Sequence, residues 1–362
     1  MKILIAGLGG IGQRHLRNLR TLLGDGVEIF AVDPRGNIPV LTDDLQVEAG
    51  ASLEKKYGLK IFPQLEPALA LKPDAAFICT PTSLHISTAL LAARAGSHLF
   101  IEKPLSHSLE QVDELFHQVD QGGLTAVVGY QTRFHPCLKR LHALIQEKKV
   151  QRILSVRAEI GEYLPGWHRY EDYRQMYASR QDLGGGVILS QIHELDYLYW
   201  LFGLPKSVYA LGGHLSRLEI DVEDTAEILM NSNLDDQSIP VSLHVDYLQR
   251  PARRTCDVIG DGGKVLVNLS ALSVEVFDSD GKQVETSHYT DFQRNQMFLD
   301  EVNGFLTRVQ GSHDPGKKLA VPEGQMWGGM PGSLVSVQEA SCSLRMALAA
   351  RESLASGRVV EL

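Results

Sequence analysis

The 362-residue chain has little of what marks secreted, membrane-bound or nucleic-acid-binding proteins. Its four cysteines lie far apart with no Cys-x-x-Cys pair, which argues against a zinc site or a disulfide framework and fits a reducing compartment. No apolar run approaches the roughly 18 residues of a membrane helix, and Lys2 before a short strand-like run does not resemble a signal peptide. Thirty-five Lys and Arg stand against 44 Asp and Glu, so the basic excess typical of nucleic-acid binding is missing. We therefore expect no metal site, no nucleic-acid partner, no membrane contact and a cytoplasmic location.

The first fifteen residues carry a dinucleotide-binding pattern. Glycines with Gly-x-Gly-x-x-Gly spacing follow the apolar run 3–6 and open a helical segment. The first permits a tight turn, the second lets the backbone approach a pyrophosphate, and the third lets the helix pack on its strand. A second strand, 28–32, ends at an acid roughly twenty residues further on, where a ribose-binding carboxylate belongs. The predicted cofactor contacts are Gly7, Gly9, Gly10, Ile11, Gly12, Asp33 and Arg35. Asp33 favours NAD because a carboxylate repels a 2′-phosphate, and Arg35 beside it leaves NADP open.

The chain changes character near its middle. Up to about residue 122, short apolar runs alternate with helical patterns, which predicts parallel βαβ units of an α/β fold. The segments 155–160 and 241–247 instead alternate polar with apolar residues, as half-solvated antiparallel strands do. We predict two domains, 1–125 and 126–362, with a last helix at 334–356 that packs on either one. Since one face of the second sheet is left open or paired, we also expect a homo-oligomer.

Lys103 is the first candidate catalytic residue. It follows the apolar strand 99–101 within Glu102-Lys103-Pro104, at the carboxyl edge of the sheet that also carries the glycine turn. There its ammonium can donate a hydrogen bond to a substrate hydroxyl or to the cofactor ribose. The alternative is a surface lysine paired with Glu102.

His193 is the second candidate. A glycine turn, 184–186, opens a helix on which His193 and Asp196 are three residues apart and share a face. Removing a hydride from a carbinol carbon leaves a hydroxyl proton that an imidazole can take, and the acid can orient that imidazole. The alternative is a helix-capping or core histidine.

The segment 163–180 is dense in aromatic rings and guanidinium groups. Rings and arginines suit a polyol that carries a carboxylate or a phosphate, since Arg binds such anions bidentately. The alternative is a surface loop packed by its own rings. The predicted substrate contacts here are Trp167, His168, Tyr173, Arg174 and Arg180.

Six stretches of the chain resemble the glucose-fructose oxidoreductase and inositol dehydrogenase family, usually written Gfo/Idh/MocA. They are 7–18, 79–85, Glu102-Lys103-Pro104, 130–136, the glycine turn with His193 and Asp196, and 292–295. The resemblance implies an N-terminal Rossmann domain with a doubly wound parallel sheet. It further implies a C-terminal α/β domain whose large, mostly antiparallel open sheet often mediates dimers or tetramers.

The resemblance also implies roles for individual residues. Lys103 looks like the family's catalytic lysine, His193 like its acid/base and Asp196 like its partner. A cis bond often precedes the proline at position 104 in relatives. Many relatives carry an Asp three or four residues before this histidine, where the chain has Leu189 and Ser190, and a serine cannot act as a base at neutral pH. The further contacts implied are Thr80, Pro81, His85 and Glu102 for the cofactor, and Tyr130, Arg133 and Ser190 for the substrate.

These observations predict an NAD(P)-dependent dehydrogenase or reductase, with NAD preferred over NADP. It would act on a secondary hydroxyl or ketone of a sugar, sugar acid or nucleotide-sugar. One alternative is a non-catalytic NAD(P)-sensing regulatory protein of the same fold. Another is an NAD-dependent glycoside hydrolase, which would show no net cofactor turnover.

Overall fold

A seven-stranded sheet organises the N-terminal part of the computed structural model, which describes residues 1–234, 236–312 and 334–362. With strands numbered along the chain, the order across the sheet is β15 (Val335–Ser336), β6 (Ala126–Gly129), β5 (His98–Glu102), β4 (Ala75–Ile78), β1 (Lys2–Ala6), β2 (Glu28–Val32) and β3 (Lys60–Phe62). All neighbours pair in parallel except the edge strand β15, which is antiparallel to β6. The predicted doubly wound parallel sheet is confirmed.

Helices connect the strands of this sheet. They are α1 (Gly10–Leu23), α2 (Leu53–Tyr57), α3 (Leu65–Leu69), α4 (His85–Arg94) and α5 (Val112–Gln121). Strands β1 and β4 are buried on both faces, with Ile3, Leu4 and Phe77 fully inaccessible, which explains their continuous apolar sequences. Because β6 pairs with β5, the first sheet continues past residue 125. The division into domains 1–125 and 126–362 otherwise stays a prediction.

A nine-stranded sheet organises the rest of the chain. Its order is β14 (Gln283–His288), β13 (Ser273–Asp278), β12 (Gly263–Asn268), β11 (Arg253–Gly260), β7 (Ile153–Gly161), β10 (Gln237–Asp246), β9 (Thr225–Leu234), β8 (Ser207–Gly213) and β16 (Val360–Glu361). Only β7 and β10 pair in parallel; every other pair is antiparallel. The predicted large, mostly antiparallel sheet is confirmed.

One face of the nine-stranded sheet is covered and the other is exposed. Helices α6 (Pro136–Gln146), α8 (His193–Phe202) and α10 (Val337–Ser356) pack on the covered face, and the short α7 (Val187–Ser190) lies beside them. Along β9, Ile228 and Met230 are buried, whereas Glu227 and Leu229, which alternate with them, are exposed. The alternating sequence thus gives one apolar face for the helices and one open face.

The last two helices join the two sheets. Helix α9 (Asn295–Ser312) returns to the first sheet and packs on α1. Helix α10 begins three residues after the predicted start and ends before Gly357, whose φ of 67° is left-handed; it packs mainly on β8 and α8 and also reaches β6. None of the described helices is both long and apolar enough to cross a membrane. The cytoplasmic location stays a prediction.

Candidate active site

The glycine turn between β1 and α1 is shaped to admit a dinucleotide. A Cβ atom on Gly7, where φ is +96°, would lie 2.4 Å from the Cys79 carbonyl oxygen, and one on Gly12 would lie 2.0 Å from the Gly7 carbonyl oxygen. Those two positions therefore require glycine. A Cβ atom on Gly9 would meet nothing within 4 Å, so this residue faces open space at the start of α1. The turn fits a pyrophosphate, which would lie against backbone N–H groups at the positive helix end.

The acid after β2 is held in place for a ribose. The Leu8 N–H donates to Asp33 Oδ2 at 2.8 Å, and Arg35 donates from Nε to Oδ1 at 2.8 Å and from Nη2 to Oδ2 at 2.6 Å. Burial opposes ionisation, but the hydrogen bonds from Arg35 and Leu8 lower the pKa of Asp33. Ribose hydroxyls would compete with Arg35 for this carboxylate, whereas a 2′-phosphate would attract the half-exposed guanidinium itself.

Lys103 leaves the carboxyl edge of β5 and points toward the second sheet's helices. Its ammonium donates to the Ser190 carbonyl oxygen at 2.9 Å, while the Glu102 carboxylate contacts His15 Nε2 at 2.6 Å. Lys103 is therefore not paired with the neighbouring glutamate through its side chain. The bond before Pro104 is cis, as the resemblance implied.

His85 links two loops at this edge. Its Nδ1 lies 2.7 Å from the Pro104 carbonyl oxygen, and its Nε2 lies 2.9 Å from that of Thr80. The side chain is almost completely buried. In this structure it positions the backbone around Thr80 and Pro104, and direct cofactor contact by Thr80, Pro81 or His85 stays a prediction.

His193 opens α8 within a buried pocket. The Gln131 side-chain amide donates to His193 Nε2 at 3.1 Å, and the Tyr130 ring packs edge-on at 5.8 Å between ring centres. Among the described residues, Nδ1 has no hydrogen-bond partner. Burial, reinforced by the positive charge of Lys103, lowers the pKa of His193 well below its usual value, so the imidazole is neutral at neutral pH.

Lys103 and His193 share one site. Ser190, whose carbonyl oxygen accepts from the Lys103 ammonium, ends α7 and lies three residues before His193. Lys103 also lowers the pKa of His193, which requires the two groups to be close. The structure therefore brings together the two side chains on which the sequence-based hypothesis depends.

In the structure Asp196 forms no hydrogen bond with His193, and its predicted role in orienting that imidazole stays a prediction. Both Asp196 carboxylate oxygens accept from Arg133 at 2.8 Å, and Oδ1 also accepts from the Ser343 hydroxyl at 3.2 Å. Arg133 lies in a 3₁₀ turn after β6 and is fully buried, so its guanidinium is directed at Asp196 rather than toward a substrate. A bidentate charged pair competes for the carboxylate more strongly than a neutral imidazole does.

Two arginines of segment 163–180, Arg174 and Arg180, are already paired. Arg174 binds Asp172 at 2.8 Å and Glu219 at 2.9 Å, and Arg180 binds Asp182 at 2.7 Å. The Trp167 ring packs edge-on against Tyr247, with 5.3 Å between ring centres. Asp172 lies within the segment, whereas Asp182, Glu219 and Tyr247 lie outside it, so the loop is held both by its own side chains and by its neighbours. A substrate role for Trp167, His168, Tyr173, Arg174 and Arg180 stays a prediction.

The structure adds residues that sequence reasoning missed. Gln131 follows β6 at the carboxyl edge as Lys103 follows β5, so its position was a usable signal. Tyr170 approaches the glycine turn, since a Cβ atom on Gly10 would lie 3.1 Å from its hydroxyl oxygen. Arg254 and Arg294 also lower the pKa of His193; Arg294 lies in the family-like stretch 292–295, whereas no motif marks Arg254.

Comparisons with known proteins agree with this architecture. A family model described as "Oxidoreductase family, NAD-binding Rossmann fold" matches residues 1–130, and one described as "GFO/IDH/MocA C-terminal domain" matches residues 138–266. Myo-inositol 2-dehydrogenase of Thermotoga maritima is 23% identical over 100% of this chain and 98% of its own length.

Two further similarities differ in extent. The 4-carboxy-2-hydroxymuconate-6-semialdehyde dehydrogenase of Sphingobium is 33% identical, but over only 39% of this chain and 42% of that protein. Among solved structures, the WlbA dehydrogenase from Bordetella pertussis, in complex with NADH and UDP-GlcNAcA, superposes with a TM-score of 0.75. At 22% identity over 100% of this chain and 98% of that one, this likeness shows a shared fold.

Proposed function

Because the chain belongs to the Gfo/Idh/MocA family of NAD-binding oxidoreductases, we propose that it transfers a hydride between nicotinamide and a secondary hydroxyl or ketone of a sugar, sugar acid or nucleotide-sugar. One observation carries the proposal. The Lys103 ammonium and the His193 imidazole meet around Ser190, beside the sheet edge that holds the glycine turn. Relatives whose names include inositol and xylose dehydrogenases support a substrate of this class.

His193 takes the hydroxyl proton in the oxidation direction. Its imidazole is neutral at neutral pH and therefore able to accept a proton. In the structure Nε2 accepts from Gln131, and a substrate hydroxyl would replace or share that contact. A bound nicotinamide supplies the hydride acceptor.

Lys103 stabilises the charge that develops on the substrate oxygen. Its ammonium has three N–H donors, and the structure shows one partner, the Ser190 carbonyl. The remaining donors are available to the oxygen whose proton His193 removes. A fixed ammonium near a developing alkoxide favours the transition state over the ground state.

Asp33 and Arg35 select the cofactor. The carboxylate favours the free ribose hydroxyls of NAD, and Arg35 provides a contact for the 2′-phosphate of NADP. We propose NAD as the preferred cofactor, with NADP accepted.

The open face of the nine-stranded sheet is the proposed contact between copies of the chain. Leu229 and Leu211 are 51% and 58% exposed and are carried by the neighbouring strands β9 and β8. Exposed apolar side chains on a broad sheet face favour burial against a second copy. Size-exclusion chromatography with light scattering of the wild type and of Leu229→Glu tests this assembly.

His193→Asn tests the catalytic proposal. Nicotinamide absorbance is followed with a panel of polyols, sugar acids and nucleotide-sugars. We expect turnover to fall by about 10²- to 10⁴-fold while NADH affinity stays unchanged, because the imidazole acts in proton transfer rather than in cofactor binding. For the wild type, the acid limb of kcat/KM should lie below pH 6.5, since burial lowers the pKa of His193 from that value.

Each other outcome has a distinct meaning. Equal turnover in the variant would remove the role given to His193. Product release from a glycoside without net cofactor reduction would support the hydrolase alternative. Cofactor binding without turnover of any panel member would favour the regulatory alternative.

A further inference from the structure

Arginines that the sequence offered for an anionic substrate group are not free to bind one. Arg133 is held by Asp196, Arg174 by Asp172 and Glu219, and Arg180 by Asp182. An arginine already in a bidentate pair gives little net charge to a ligand. Any anion-binding charge near His193 must come from other residues.

Two other guanidinium groups have no such acidic partner. No carboxylate of the described residues forms an ion pair with Arg14 or Arg294, including Asp291, three residues before Arg294. Arg14 donates to the Asn295 side-chain oxygen at 3.0 Å and lies 5.0 Å from the centre of the Phe298 ring. The acids nearest to Arg14 are otherwise engaged, since Asp43 binds Arg17 and Glu102 binds His15.

Packing places Arg294 between the glycine-turn helix and His193. On one side, Phe292 packs against His135, with 5.1 Å between ring centres, just after the 3₁₀ turn whose Gln131 contacts His193. On the other side, Asn295 donates to Asn18 of α1 at 2.8 Å. Arg294 itself is exposed.

The electrostatics agree with that position. After burial, the largest effect lowering the pKa of Arg14 is repulsion by Arg294. Arg294 also lowers the pKa of His193, in addition to burial, Lys103 and Arg254. The exposed guanidinium of Arg294 thus lowers the pKa of both Arg14 on α1 and the His193 imidazole.

We propose that Arg294 and Arg14, between α1 and the His193 pocket, form an anion subsite that selects substrates carrying a carboxylate or phosphate next to the reacting carbinol. The inference rests on the proposed function and narrows its substrate class to sugar acids and phosphorylated or nucleotide-linked sugars. Cations held close together without acids repel one another, and a bound anion relieves that repulsion. A neutral polyol such as an inositol would leave it in place.

The test uses the full chain saturated with NADH and three probes: D-glucuronate, D-glucose 6-phosphate and D-glucose. Calorimetric titration gives a dissociation constant for each probe. We expect at least one anionic probe to bind about tenfold or more tightly than glucose. The tighter-binding of D-glucuronate and D-glucose 6-phosphate shows whether the subsite prefers a carboxylate or a phosphate.

Variants of Arg294 show whether its guanidinium causes the preference for an anionic sugar. Arg294→Gln should weaken the preferred anion by about ten- to a hundredfold, as expected for one lost charge-assisted hydrogen bond, and leave glucose and NADH unchanged. Arg294→Lys should restore part of the affinity. Arg94→Gln is the matched control, because it removes the same charge from α4, where Arg94 forms a surface pair with Glu114 of α5, and should change nothing.

Three results would overturn the inference. The wild type could bind glucose as tightly as both anions. Arg294→Gln could weaken NADH by the same factor as the anion, which would assign the arginines to the cofactor phosphates. Arg94→Gln could match Arg294→Gln, which would show only a general field effect. Failure of the proposed function gives a different result, namely Arg294-dependent anion binding without nicotinamide reduction by any anionic sugar.

Discussion

Asp196→Asn separates a structural carboxylate from a catalytic one. The change removes the negative charge opposite Arg133 and keeps the size and shape of the side chain. In the structure the pair is closed to water, with Arg133 0% and Asp196 1% exposed, and both oxygens accept from the guanidinium at 2.8 Å. The variant therefore leaves a buried guanidinium whose other acid is Glu339 at 3.4 Å.

Asp196→Asn should lower the free energy of unfolding strongly and turnover only slightly. Removing one partner of a buried ion pair costs about 3–5 kcal/mol. An amide still offers one oxygen to Arg133, and Glu339 remains, so we expect about 3 kcal/mol. Turnover of the folded variant should stay within about tenfold of the wild type, because Asp196 does not contact His193.

Urea unfolding followed by tryptophan fluorescence gives the stability change, and nicotinamide absorbance below the unfolding transition gives turnover. Arg133→Gln and the double variant complete a cycle. We expect the double variant to be less unstable than the sum of the two single changes, by at least about 1 kcal/mol. Ser343→Ala is the mild control, since it removes only the 3.2 Å contact to the same carboxylate.

The opposite pattern would refute this reasoning. A carboxylate that orients a catalytic histidine costs about 10⁴-fold in turnover when it becomes an amide. If Asp196→Asn loses turnover on that scale while its unfolding free energy changes by less than about 1 kcal/mol, the carboxylate serves His193 during catalysis despite its contacts here.

Gly9→Ala should leave the free energy of unfolding within about 0.5 kcal/mol of the wild type, because a Cβ atom there meets only open space. It should weaken NADH binding roughly tenfold or more in a fluorescence titration, because that space is where the pyrophosphate approaches the backbone. Gly12→Ala should cost about 1–3 kcal/mol, and equal stability of the two variants would contradict the turn geometry. Asp246, with Glu227, raises the pKa of His244 to about 9, so the stability that this histidine adds should be complete below pH 6.5 and lost as pH rises through 9. His244→Gln should remove that part of the alkaline destabilisation; an unchanged pH dependence of the unfolding midpoint would contradict it.

The sheet-edge part of the site could be predicted because its signals are local. Parallel strands end at a common edge, so whatever follows each strand is delivered there. This rule holds for Gly7 after β1, Asp33 after β2 and Lys103 after β5. Gln131 after β6 meets it too, and contacts His193 as the rule would allow.

The partner of Asp196 could not be predicted from spacing on the helix. Three residues of separation place His193 and Asp196 on one face, but a face does not decide which neighbour the carboxylate accepts from. The deciding groups, Arg133 and Ser343, lie 63 and 147 residues away along the chain. Their approach depends on how α10 and the turn after β6 pack against α8.

Which arginines stay free depends on backbone geometry more than on sequence distance to an acid. Asp172 accepts from both the backbone N–H and the side chain of Arg174, and Asp33 does the same for Arg35, so in each case the turn itself brings the charges together. Arg294 also has an acid nearby in sequence, yet it forms no pair with Asp291 in the described structure. An arginine-rich segment is therefore weak evidence for an anion site, since short turns pair such arginines with nearby aspartates and leave little positive charge for a ligand.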